Sequence, residues 1–200
     1  MKHKRLFVKL ICIVLCAAMV LPLSACGETK LTQREVYAMD TVMTLSAYGK
    51  KAAQGLDAAE SIILSMDTAL DPELATSTVY AINHANGGST VVSGQIANML
   101  STAHTVYEQS EGALDLTIYP LYKRWGFLDG KYYVPTDAEI AEDLSRLCFN
   151  QLVLTQFPAS GSFSVTIPAT GELSFASVAK GCAADNAIEA MRQAGVTSGI

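Results

Sequence analysis

The sequence predicts an α+β fold, a mixed sheet with several flanking helices, and three observations support this. Short runs rich in β-branched and aromatic residues are interspersed with segments whose apolar residues recur at spacings of three and four. The two kinds of segment follow no regular βαβ order. Of the 200 residues 50% are hydrophobic and only 16% charged, which supplies a packed core and excludes a disordered chain.

The first segment is an export signal. Lys2, Lys4, Arg5 and Lys9 precede an unbroken apolar run of twelve residues, Leu10 to Leu21. A bilayer-spanning helix needs about 20 such residues, whereas a basic start and a shorter apolar core make a secretory signal. Leu23-Ser24-Ala25-Cys26 resembles the bacterial lipobox, whose cysteine receives a diacylglycerol and becomes the new N-terminus. An ordinary signal peptide beside a chance cysteine is the alternative. Two acyl chains anchor stably where one does not, so the mature chain is expected on the extracytoplasmic face of the cell membrane, held through Cys26. Cleavage removes four of the 14 basic residues and none of the 19 acidic ones, leaving a net charge of about -9. Phosphate neutralisation needs clustered Lys and Arg, so a general nucleic-acid binder is excluded.

Residues 26–34 read as a polar tether, and the fold is expected over 35–200. Glu35 to Tyr48 suggests a strand or hairpin ended by Gly49. Ala52, Leu56, Ala59, Ile62, Ile63 and Met66 mark one apolar helical face, stopped at Asp71-Pro72 because the residue before proline is driven from α geometry. Asn83 to Gly88 reads as a turn, Thr90 to Val92 as a short strand, and Ile96 to Tyr107 as a second amphipathic helix. Gly112 to Tyr133 has no clear period and holds the only tryptophan and four of the eight tyrosines. Thr136 and Glu139 have the spacing of a capping box before a helix. Leu152–Leu154 and Phe163–Ile167 read as strands joined by a turn at residues 158–161, and a helix through Ala183, Ala187 and Met191 is expected to stop at Gly195. An apolar strand starts at Val196, which suggests a fragment whose remaining strands lie beyond Ile200.

Two constellations could carry chemistry. In Gly112-Ala113-Leu114-Asp115-Leu116-Thr117, an extended chain would place Asp115 and Thr117 on one side. Their carboxylate and hydroxyl could then bond a ribose or a ring amide, with Trp and Tyr faces nearby for stacking. A core-packed loop with a turn aspartate is the other reading. The second runs from Ser174 to Gly181 into a helix, where backbone N–H groups and Lys180 would attract an anion, although the Walker A pattern is absent. His84 and His104 accompany no serine elbow, so a hydrolase triad is unsupported. Cys148 and Cys182 remain after export, as a possible pair or as buried free thiols, and no Cys/His cluster has zinc spacing.

Taken in order, Met39-Asp40-Thr41, Asp71-Pro72 with Ile82-Asn83, the run GALDLTIYPLYKRWGF at 112–127 and Ala179-Lys180-Gly181-Cys182-Ala183-Ala184-Asp185 resemble the ApbE family over residues 36–200. Met39-Asp40-Thr41 stands where the family usually has Met-Gly-Thr, and Ser174 where many relatives carry aspartate. The resemblance implies an ApbE-like, T-fold-like domain and a Mg²⁺-dependent FAD:protein FMN transferase. Such an enzyme cleaves FAD and passes FMN to a Thr or Ser hydroxyl of a partner, an acceptor flavoprotein subunit of a membrane redox complex. An FAD pyrophosphatase releasing FMN and AMP, and a non-catalytic exported FAD-binding lipoprotein, share the same pocket and stay open. Carried over by position, Met39, Ala113, Leu114 and Asp115 would contact FAD with Thr117 in support. Lys180 would lie near the phosphates, Ser174 would be a further cofactor contact, and Ser177 would help hold the metal. The family's main metal ligands, an Asp and a Thr, are expected beyond Ile200, so activity is expected of a longer chain.

Overall fold

The computed structural model describes residues 30–200. The export segment and Cys26 lie outside the described residues. Strand β1 (Leu31–Ala38) pairs antiparallel with β2 (Thr41–Tyr48), Ala38 opposite Thr41 and Leu31 opposite Tyr48. The tether expected through Arg34 is therefore shorter. Leu31 already pairs in the sheet, and Arg34 sits opposite Leu45 with its guanidinium on Asp57 and Glu60. Alternation does the work in β1, where Val36 and Ala38 are buried and their neighbours Glu35 and Tyr37 face solvent.

Helix α1 (Ala52–Leu70) buries Ala52, Leu56, Ala59, Ile63, Met66 and Leu70, the face its spacing predicts. It packs along α6 (Ala179–Gln193), whose buried Ala183 and Ala187 let the two backbones approach. Gly55 faces this seam. A Cβ there would sit 2.3 Å from the Val196 Cγ2. Helix α6 gives way to Gly195 at φ 90°, a conformation glycine adopts without steric cost. The chain then returns to the hairpin, with Ser46 and Ile200 exchanging two backbone hydrogen bonds and the Tyr48 N–H donating to Ser198.

Between these helices run α2 (Thr78–Asn83), β3 (Thr90–Val92), α3 (Gly94–Gln109), α4 (Tyr119–Arg124), α5 (Asp137–Leu144), β4 (Val153–Phe157) and β5 (Ser162–Thr166). The second sheet has the order β3-β5-β4. Every strand pairing is antiparallel, so the expected mixed sheet is, among the described residues, a pair of small antiparallel ones. The tight turns at 39–40 and 158–161 leave β1–β2 and β4–β5 no room for the crossover that parallel strands need. The capping box forms as expected: the Thr136 hydroxyl accepts from the Glu139 N–H, and the Glu139 carboxylate accepts from the Thr136 N–H.

Further segments differ from the sequence reading. Helix α2, unforeseen, is set by Ser77, whose hydroxyl accepts from the Tyr80 N–H at 2.9 Å. Leu116–Ile118 form a tight helical turn capped by Asp115, where an extended chain is one expectation. The Asp115 carboxylate accepts both the N–H (2.7 Å) and the hydroxyl (2.6 Å) of Thr117, a local bond that displaces any strand ladder.

Candidate functional site

Met39 and Asp40 form the two-residue hairpin turn, at φ 52° and 54°. Left-handed geometry at both positions suits the twist of the flanking strands, and aspartate tolerates it where methionine seldom does. The Met39 N–H donates to Asp67 Oδ1 at 2.7 Å, which ties the turn to the last turn of α1. The Met39 side chain packs against the core.

The exit from α1 is built by side chains acting on backbone. Asp71 Oδ1 accepts from the Glu73 N–H at 2.8 Å and the Leu74 N–H at 3.3 Å. The Glu73 carboxylate in turn accepts the Tyr119 hydroxyl, and Lys123 bridges to Glu172. Burial first, and then the hydrogen bond to the Glu73 carboxylate, pushes the Tyr119 phenol above its ordinary value, so it stays a donor. Asn83 clamps the strand-like approach to α6, its Oδ1 accepting the Leu173 N–H at 2.9 Å and its Nδ2 donating to the Leu173 carbonyl at 3.0 Å. The Ser174 N–H donates to Leu116 at 2.8 Å.

The hairpin turn, the exit from α1 and the start of α6 bound a cleft of about 370 Å³, within the range of small-molecule sites. The hairpin turn, the α1 exit, Ser174–Ala176 and the start of α6 line it, with Tyr122 and Leu128 alongside. No side chain caps the N-terminus of α6. Lys180 in its first turn is exposed and, among the described residues, forms no salt bridge. A helix start and a lysine together attract an anion. Gly181 follows with open space around it. Asp40, Asp67, Asp71 and Glu73 also line the cleft, and the last three are engaged by the donors named above. The arrangement suits a ligand with an anionic part at Lys180 and an apolar part against Met39, Pro72 and Tyr122.

Of the residues singled out in the sequence, Met39, Ser174 and Lys180 converge on this cleft. Ala113, Leu114, Asp115, Thr117 and Ser177 do not line it. Thr117 is fully buried, and its hydroxyl oxygen accepts the Cys148 N–H at 2.9 Å, which makes it a knot between two loops. Leu114 packs against the core, and Ala113 and Ser177 face solvent. Among the described residues no group of three or more His, Cys, Asp or Glu side chains is placed to hold a metal, so these residues do not by themselves make a Mg²⁺ site. Asp67 escaped the sequence reading. Its only signal was a carboxylate four residues after Ile63, on the margin of the buried stripe of α1.

The model of the ApbE family matches residues 39–200. The chain belongs to the ApbE family. Its sequence is 25% identical over 198 residues to the FAD:protein FMN transferase of Haemophilus influenzae, covering 92% of this chain and 56% of that protein. The fold is that of solved ApbE proteins. The Thermotoga maritima ApbE protein superposes with a TM-score of 0.74 at 19% identity, over 83% of this chain and 54% of that one. The apo form of the Pseudomonas stutzeri flavinyl transferase ApbE gives 0.73 at 22% identity, over 87% and 56%. The chain thus spans about half the length of the ApbE relatives it matches.

Proposed function

We propose that the full-length protein is a Mg²⁺-dependent FAD:protein FMN transferase, anchored outside the cytoplasm through Cys26 and acting on a flavoprotein subunit of a membrane complex. The observation that carries this reading is the convergence of Met39, Ser174 and Lys180 on one cleft at the uncapped start of α6, in a chain of the ApbE family.

In this reaction the Thr or Ser hydroxyl oxygen of the acceptor attacks the FMN phosphorus of FAD. The new P–O bond forms as the bond to the bridging pyrophosphate oxygen breaks. AMP leaves with that oxygen, and the hydroxyl proton passes to solvent. The barrier is electrostatic, because a pyrophosphate repels the incoming oxygen and gathers charge on the leaving phosphate. Lys180 and the first-turn N–H groups of α6 neutralise part of that charge. Met39 and Tyr122 offer an apolar surface to the flavin. Bound Mg²⁺ would supply the remaining neutralisation, and the described residues gather no site for it.

The test incubates full-length protein with FAD, Mg²⁺ and an acceptor subunit, followed by intact mass of the acceptor and chromatography of the nucleotides. An FMN adduct on the acceptor with one AMP released per adduct is the expected result. AMP and FMN without an adduct would replace the transferase with a pyrophosphatase. Bound FAD with neither product would leave a carrier.

A further inference from the structure

Two local rules are broken at one contact beside the cleft. Met39 holds a left-handed backbone that residues other than glycine, asparagine and aspartate rarely adopt. Asp67 places a carboxylate in the last turn of α1, where the helix dipole disfavours negative charge and no basic side chain compensates. Each irregularity is the partner of the other, since the Met39 N–H donates to Asp67 Oδ1 at 2.7 Å. Strained backbone persists only where its surroundings hold it, and such places gather at sites.

We propose that Asp67 is a positioning residue for the flavin cleft, fixing the Met39-Asp40 turn so that this turn forms one wall of it. The proposal rests on the transferase reading for its ligand, FAD, and on geometry for the clamp. Asp67 acts by accepting a hydrogen bond from the backbone, not through its charge. Asparagine can therefore replace it and alanine cannot. Without the acceptor, the turn relaxes toward ordinary backbone angles and the Met39 side chain loses its place. A glycine at position 40 lowers the cost of the left-handed turn and offsets part of that loss.

The experiment compares full-length wild type, D67A, D67S, D67N and the double variant D67A/D40G. It reads FAD affinity by fluorescence quenching, hydrogen exchange at the Met39 amide, and the thermal midpoint. D67A is expected to weaken FAD binding by up to about tenfold, the scale of one intramolecular hydrogen bond, and to speed Met39 exchange by a similar factor. D67N should stay within about twofold of wild type in both, on the same scale, and D40G should recover part of the D67A loss. D67S, whose shorter hydroxyl reaches less far, should resemble D67A and serves in its place if that variant fails to fold. Wild-type Met39 exchange in D67A, or a D67N as impaired as D67A, would overturn the clamp. Wild-type protein that binds no FAD would sink the functional reading alone, since the exchange measurement still decides the clamp.

Discussion

Lys180 is the residue on which the anion-binding reading of the cleft turns. It stands exposed and without an ion pair among the described residues, so removing it leaves no buried charge unpaired. Lys180→Ala should therefore weaken FAD binding or turnover by about tenfold or more, the scale of a lost charge-assisted contact, with the thermal midpoint unchanged. Isothermal titration beside a melting curve checks both, and unaltered FAD affinity and turnover would remove Lys180 from the site. At this scale the sequence was legible where a residue's chemistry is its own and silent where it works through backbone. Lys180 and Met39 stand out by type and by family motif. Asp67 does not, because its role is a bond to a main-chain N–H 28 positions away. The extended geometry considered for Asp115 and Thr117 gives way to the turn reading for a related reason. A period of two was one possible geometry, but a short carboxylate three atoms from its own backbone closes on the nearest N–H instead.

Elements were read more surely than residues, because an apolar stripe repeated over several turns is a stronger signal than any single side chain. The face of α1 and the start of α5 came out as expected, whereas α2 has only six residues and too few turns to show a period. The α1–α6 seam offers a test of packing. Gly55→Ala gains helix propensity of about 1 kcal/mol, yet its methyl would meet Val196 at 2.3 Å. The variant should be net destabilised by roughly 1–2 kcal/mol, as overpacked cores are. Adding Val196→Ala should relieve part of that loss. Chemical denaturation of the double-mutant cycle measures the coupling, and simple additivity would mean that the seam moves apart freely.

The join between α4 and α5 makes a second prediction. Arg124 holds Asp143 through two bonds, one of them 2.9 Å from Nη2 to Oδ1, and Asp143 is only 2% exposed. The guanidinium hydrogen bond holds the Asp143 carboxyl below its ordinary value. A depressed carboxylate contributes stability above its unfolded pKa of about 3.9 and loses it as the pH falls through the folded value. Asp143→Asn should thus melt below wild type at pH 7, and the gap should begin to narrow only below about pH 4, closing as the pH passes the depressed folded value. A gap that persists into acid would mean that packing, not the ion pair, holds α5.

At the scale of the whole molecule, the α+β class was legible from composition and element order, while the division of the strands into two small sheets was not. Which strands pair is decided by contacts distant in sequence, as when β3 finds β5 across some 70 intervening positions. Location is the property that sequence alone carries. Cys26→Ser should leave an exported protein that partitions into the aqueous phase of a detergent extraction, whereas wild type follows the detergent. Equal partitioning of the two would replace the lipoprotein signal with an ordinary one.

The proposed export would place Cys148 and Cys182, the free cysteines among the described residues, in an oxidising environment. Burial raises both thiols above their usual value, and Cys148, beneath the Thr117 knot, is nearly inaccessible. The reactive thiolate is therefore scarce while the fold is intact. Unfolding exposes both sulfurs at once, and a bond between residues 148 and 182 would then trap the chain in a form that cannot rebuild the packing around either. In that proposed location the protein's endurance would be set by how seldom it opens, a rate rather than an equilibrium.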